Sequence, residues 1–180
     1  MSIILREATK EDENEVLAMY KEYLEAEPIN GIDTFEGIRD FEHFETMNYD
    51  EWLQDLEFNK VKSNLPDNYS SHTLYLAVND EKEIVGAIGL RWDEVEVLMT
   101  YGGLIGYSIR PSQRGKGYAS DMLKEGLDIF RKTGREKILI TCKDFNIASK
   151  KVIEKNGGKL LSQIINPRDN YNYLRYEIIL

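Results

Sequence analysis

The stretch Arg114-Gly115-Lys116-Gly117-Tyr118-Ala119, followed by Ser120, combines residue types and spacing that could hold a phosphate. Glycines at 115 and 117 give the backbone angles closed to other residues and let the main chain approach a ligand closely. A helix starting here presents first amides with no intrahelical acceptor and the positive end of its dipole, a natural seat for an anion. Arg114 and Lys116 add charge, and the small Ala119 keeps the helix mouth open. On glycine spacing alone, a tight strand-to-helix turn with ordinary surface bases is an equally good reading. A Walker loop is excluded, because no glycine stands at the required distance before a Gly-Lys-Ser/Thr triplet. A dinucleotide fingerprint is incomplete: Gly115, Gly117 and Ser120 lack the third glycine or alanine, and one crossover follows instead of a series.

Other reactive side chains offer less. Cys142 is the only cysteine, which rules out an intrachain disulfide or a cysteine-built zinc cluster, and it reads as a strand-end packing residue. His43 and His72 are distant in sequence and lack companions of metal-ligand type, so no metal is expected. The net charge of −9 argues against a nucleic-acid partner. That total conceals an asymmetry, for residues 1–109 hold 24 acids and 8 bases while 110–159 hold 13 bases and 6 acids. The basic segment is the one that contains the glycine loop.

The elements that must position this loop follow from periodicity and punctuation. A strand over Leu104–Arg110, the loop Pro111–Gly117, a helix with Ala119, Met122, Leu123, Gly126, Leu127 and Phe130 on one stripe, and a strand over Lys137–Cys142 form a crossover that calls for parallel pairing. Asn146 caps a further helix ending at Asn156-Gly157-Gly158, and two strands, Lys159–Ile165 and Tyr171–Leu180, close the chain. Upstream, Ser2–Arg6 reads as a strand, Thr9–Glu25 and Tyr49–Val61 as helices, and Thr73–Trp92 as a hairpin turning at Asn79-Asp80-Glu81. Asn30–Met47 has no clear periodicity, and Asp93–Gly103 is ambiguous. The length suits one domain, 1–180, and the absence of a long apolar run or signal-type start points to a cytosolic protein with no membrane contact.

Arg114-x-x-Gly117-x-Ala119, preceded by Gly106-Tyr107-Ser108-Ile109-Arg110-Pro111 and followed by Asn146-x-x-Ser149 and a helix ending at Gly157, resembles the GNAT superfamily of N-acetyltransferases over Gly103 to Gly158. The resemblance implies an α/β (α+β) fold, a mixed, mostly antiparallel central sheet of about seven strands with flanking helices. It implies acetyl-coenzyme A as cosubstrate and direct attack of a small-molecule amine in a ternary complex. Ile109, Arg110 and Pro111 would line the pantetheine arm, Arg114, Gly115, Lys116, Gly117, Tyr118, Ala119 and Ser120 would enclose the pyrophosphate, and Asn146 and Ser149 would touch the far side. A main-chain amide near Ile109 would hold the developing oxyanion. The tyrosine that the family often uses as acid is replaced by Ile153, and the carboxylate expected near Leu104 to Gly106 is missing. Tyr107, with Tyr118, Tyr171 and Tyr173, could substitute as acid, and Glu94 and Glu96 as base. The rival reading is a degenerate acyl-coenzyme A sensor. Glu25 to Glu57 holds 11 acids and one base, Arg39, and the resemblance makes this segment a wall of the acceptor site, which points to a cationic acceptor. The acceptor's identity and the oligomeric state stay open, a homodimer among the options.

Overall fold

A computed structural model describes residues 3–28, 32 and 34–180; Ser2, Asn30, Gly31 and Asp33, on which parts of the sequence reading fall, lie outside them. Among the described residues the order is β1 (Ile3–Arg6), α1 (Glu13–Glu25), α2 (Tyr49–Asn59), β2 (His72–Asn79), β3 (Ile84–Arg91), β4 (Ile105–Ile109), α3 (Tyr118–Lys132), β5 (Lys137–Lys143), α4 (Ile147–Lys155), β6 (Lys159–Ile165) and β7 (Asn172–Ile179). The helix expected from Thr9 opens as a 3-10 turn, with the Thr9 amide donating to Asp12 at 2.8 Å and Arg6 gripping the same carboxylate at 2.6 and 2.7 Å. α3 buries Met122, Leu123, Gly126, Leu127 and Phe130, the stripe that its 3.6-residue period prescribes. Asn146 caps α4 by accepting from the Ser149 amide at 3.0 Å.

The strands form two antiparallel sheets, β1-β2-β3-β4 and β5-β7-β6. The parallel ladder expected between β4 and β5 is replaced by one hydrogen bond, Leu104 N–H to Leu139 O at 2.8 Å, beyond which the strands part. β5 has two edges, and one of them pairs along its whole length with the chain's end, from Lys137 opposite Ile179 to Lys143 opposite Tyr173; the contact that bears on the missing ladder lies at β4. Beside β4, the backbone of Gly37 packs so closely that a Cβ on Gly37 would stand 2.7 Å from Tyr107 N, and one on Gly106 would stand 2.4 Å from Gly37 O. The crossover therefore fixes the direction of β5 without zipping it to β4.

Both faces of the four-stranded sheet are covered. α1 and α2 place Val16, Met19, Trp52 and Leu56 against Leu74, Leu76, Val78 and Ile84, while α3 packs on Val85, Ile88 and Leu90 together with Ile138, Ile140 and Tyr176 of the second sheet. The aperiodic segment before α2 is anchored by rings instead of by a hydrophobic stripe. Its 3-10 helix, Arg39–Glu45, sets Phe41 and Phe44 with centroids 5.5 and 4.8 Å from Trp52, and Trp52 Nε1 donates to Asp40 O at 2.8 Å. The ambiguous stretch before β4 holds one π-helical turn, Leu98–Gly102.

Candidate functional site

The parting of β4 and β5 opens a cleft of about 520 Å³ between β4, the glycine loop at the start of α3, and α4. The backbone of β4 faces it for a reason of register. Arg91 N–H donates to Leu104 O and Arg110 N–H to Val85 O, so the hydrogen-bonded pairs with β3 alternate through Gly89–Gly106 and Ala87–Ser108. Tyr107 and Ile109 fall between them and turn their amides away from β3, toward the gap. Gly117, the residue before α3, sits at φ 88°, and a Cβ there would meet no atom within 4 Å. The left-handed angle demands glycine, and the open space lets a ligand approach the first amides of α3. Arg114, Lys151 and Lys155 line the cleft, and none of them has a carboxylate within ion-pair distance among the described residues.

Of the twelve positions expected at the cosubstrate, Ile109, Arg114, Gly115, Gly117, Tyr118, Ala119, Ser120, Asn146 and Ser149 line this cleft. Arg110, Pro111 and Lys116 do not. Arg110 reaches back to α1, with Nε 2.7 Å from Glu22 and Nη1 3.5 Å from Glu15, and Lys116 donates to Gln113 Oε1 at 2.7 Å. Ala148, Lys151, Val152 and Lys155 complete the wall. Their spacing of three and four residues behind the Asn146 cap puts them on one helix face, a signal that the sequence already carried.

A second cavity of about 390 Å³ adjoins the first and shares Glu36, Tyr107, Asn146 and Ser149 with it. Tyr107 Oη lies 3.0 Å from Ser149 Oγ, and burial raises the phenol's pKa above its ordinary value despite that hydrogen bond. Glu36 accepts from Lys143 Nζ at 2.8 Å; the Lys143 side chain is 9% exposed, and Nζ stands 4.6 Å above the Tyr171 ring. Sequence reading counted Glu36 only as one charge in an acidic run, because nothing local marks it. The close approach of Gly37 to β4 is what carries it to the junction. Cys142 also lines this cavity, and burial pushes its thiol up to about 11, so the group stays protonated near neutrality.

Glu94 and Glu96 are exposed and line neither cavity. Glu94 is held by Arg135, and after Arg91 the wall of the second cavity takes up the chain again only at Val97 and at Tyr101 and Gly102 of the π-helical turn. Ile153 is fully buried in the core. Tyr118 Oη receives Asn79 Nδ2 at 3.4 Å, and Tyr173 Oη donates to Asp169 at 2.8 Å. His43 and His72 pair with Asp55 and Asp40 at 2.9 and 2.6 Å, and among the described residues no three His, Cys, Asp or Glu gather as a metal site.

Splayed sheets with an anion-ready cleft that opens onto a second cavity are an arrangement suited to a group-transfer enzyme. The family model described as "Acetyltransferase (GNAT) domain" matches residues 2–159, and the chain belongs to the GNAT acetyltransferase family, whose cosubstrate is acetyl-coenzyme A. Solved structures of similar fold include the Salmonella typhimurium acetyl transferase that modifies the N-terminal serine of ribosomal protein L7/L12, at TM-score 0.67 and 19% identity over 100% of this chain and 96% of that one. They also include a spermidine N-acetyltransferase SpeG chimera from Vibrio cholerae and hSSAT, at 0.61 and 15% over 99% and 96%. yncA from Salmonella typhimurium, solved with its cofactor acetyl-CoA, aligns at 0.62 and 14% over 100% and 95%. No curated protein matches the chain. No helix among the described residues is long and apolar enough to cross a membrane.

Proposed function

We propose that this enzyme transfers the acetyl group of acetyl-coenzyme A to the primary amine of a small molecule. The observation that carries the reading is the junction of the two cavities at Glu36, Tyr107, Asn146 and Ser149, which lets one substrate enter from each side. In the larger cleft the outward amides of β4 would pair with the amides of the pantetheine arm, as an added strand does. The start of α3, with Arg114, Lys151 and Lys155, would take the phosphates. The fit rests on this chain's own features: an open left-handed Gly117 at the helix mouth and three cations without carboxylate partners among the described residues.

The cosubstrate supplies an activated thioester. Glu36 is the carboxylate at the junction and would receive the proton of the acceptor ammonium. Tyr107 stays a protonated phenol and would donate its hydrogen bond to the departing sulfur, with Ser149 holding it in place. The Ile109 amide would face the acetyl oxygen, the kind of fixed dipole that lowers barriers by several kcal/mol. Tyr107 thus provides the hydroxyl that Ile153 lacks, which favours an enzyme over a sensor. A cytosolic location fits the free, buried Cys142, and the homodimer stays a proposal for light scattering to test, with Leu160, Leu161 and Ile165 of the outer strand β6 exposed.

The test is thiol release with a panel of primary amines, run beside calorimetry of acetyl-coenzyme A binding. Amine-dependent thiol release is expected. Tight binding with no release for any amine would overturn the enzyme reading.

A further inference from the structure

The acidic run that pointed to a cationic acceptor does not face the acceptor cavity. Of its 11 members only Glu36 lines either cavity among the described residues. Asp40 is tied to His72, Asp55 to His43, Glu42 to Arg39, Glu57 to Lys60, and Glu51 to the amide of Asn48. The second cavity is instead lined by four cations, Arg39, Arg91, Lys143 and Arg168, against two carboxylates, Glu36 and Asp169.

Both carboxylates already hold donors: Glu36 holds Lys143, and Asp169 takes Tyr173 Oη at 2.8 Å and the Tyr171 amide at 3.1 Å. Arg91 and Arg168 have no carboxylate within ion-pair distance among the described residues. Arg91 closes β3, and its Nη1 points at Gly102 O and Gly103 O at 3.5 and 3.2 Å. Its Nε and Nη2 hydrogens have no acceptor among the described residues, and they form the edge of the guanidinium that matches a carboxylate with two parallel hydrogen bonds. Asp40 lies within electrostatic reach of Arg91, but it is bonded to His72 at 2.6 Å.

We propose, on the basis of the function above, that the acceptor is a small molecule carrying an anionic group, a carboxylate or phosphonate, beside its amine, with Arg91 and Arg168 binding that anion while the ammonium meets Glu36. A cavity of about 390 Å³ suits a metabolite-sized ligand. Arg91 is a recognition residue in this scheme and takes no part in proton transfer.

Two measurements decide it. In the first, the coenzyme A complex is titrated by calorimetry with succinate, an anion without an amine. Saturable binding is expected, weakened about tenfold or more in Arg91→Gln and in Arg168→Ala, the loss expected for a hydrogen-bonded charge. Arg168 lies in an exposed turn, so its variant remains informative even if Arg91→Gln fails to fold. No succinate binding, or unchanged binding in Arg168→Ala, overturns the proposal whether or not any acceptor turns over. In the second, kcat/KM is compared within matched pairs: β-alanine against propylamine, aminomethylphosphonate against methylamine, and glycine against glycinamide. The acidic member is expected to win each pair that turns over, and Arg168→Ala to shrink its advantage. Equal rates, or faster neutral amines, reject the anionic acceptor while leaving the acetyltransferase reading intact; absence of thiol release with every amine tried rejects that reading alone.

Discussion

Tyr107 Oη and Ser149 Oγ, 3.0 Å apart, join β4 to α4 across the gap where the two sheets part, and both residues line both cavities. This hydrogen bond lies in the wall that the two cavities share, together with Glu36 and Asn146. Tyr107→Phe keeps the ring and removes the donor. It should lower kcat by about 10² to 10⁴, the usual range for a lost general acid, while leaving the Kd of acetyl-coenzyme A nearly unchanged. Stopped-flow thiol release with parallel calorimetry checks it, and an undiminished kcat would remove Tyr107 from the chemistry.

Gly117→Val should abolish acetyl-coenzyme A binding with the far-ultraviolet dichroism intact. The φ of 88° is strained for any β-branched residue, at about 1–3 kcal/mol, and the new side chain would occupy the open space in front of the α3 amides. Calorimetry at unchanged affinity would remove the cosubstrate from this loop.

Ile153→Ala should behave as a core mutation. The side chain is fully buried, and its truncation should cost about 2–5 kcal/mol in urea unfolding while kcat per folded molecule holds. A collapse of kcat with stability preserved would mean that position 153 takes part in the reaction.

Lys151→Gln and Lys155→Gln should each weaken acetyl-coenzyme A binding and flatten its salt dependence, because the wild-type lysines have no carboxylate partner among the described residues to share their charge and the Debye length is only about 10 Å at 0.1 M salt. Titrations at low and moderate salt test this; a salt slope equal to that of the wild type would place the phosphates elsewhere.

The Asp40–His72 pair should make stability depend on pH. Burial works against the His72 charge, yet the hydrogen bond and charge of Asp40 outweigh it and raise His72 above its ordinary 6.5. Its stabilisation is therefore complete below about pH 6.5 and is lost as pH rises through the higher folded value. Asp40 is shifted down from 3.8, because the same hydrogen bond overcomes its own burial, so its share is lost only in acid, as pH falls through the lowered value. The urea midpoint of the wild type should fall toward that of His72→Gln as pH rises above about 6.5. Parallel curves over that range would show that the pair carries no pH-linked stability.

Local rules already decided much of this protein in the sequence. The glycine loop, the stripe on α3, the Asn146 cap and the Asn79 turn each depend on neighbours a few residues away, and they emerge where expected, except that Lys116 turns from the cleft and Ala119 lines it instead of joining the buried stripe. The β4–β5 relation was legible only in direction. Whether two strands beside each other form a ladder depends on what packs along the facing edges, and here the backbone of Gly37 comes from a distant part of the chain. The same limit explains Glu36 and Glu94. Both are carboxylates within acidic stretches, but rings packed on Trp52 hold the segment that brings one to the junction, whereas Arg135 holds the other at the surface. Charge counted along the chain could not reveal that Asp40, Glu42, Asp55 and Glu57 of the acidic run pair with His72, Arg39, His43 and Lys60, or that Arg91 and Arg168 face the cavity. Charges act through space, and only the folded chain determines which of them share it.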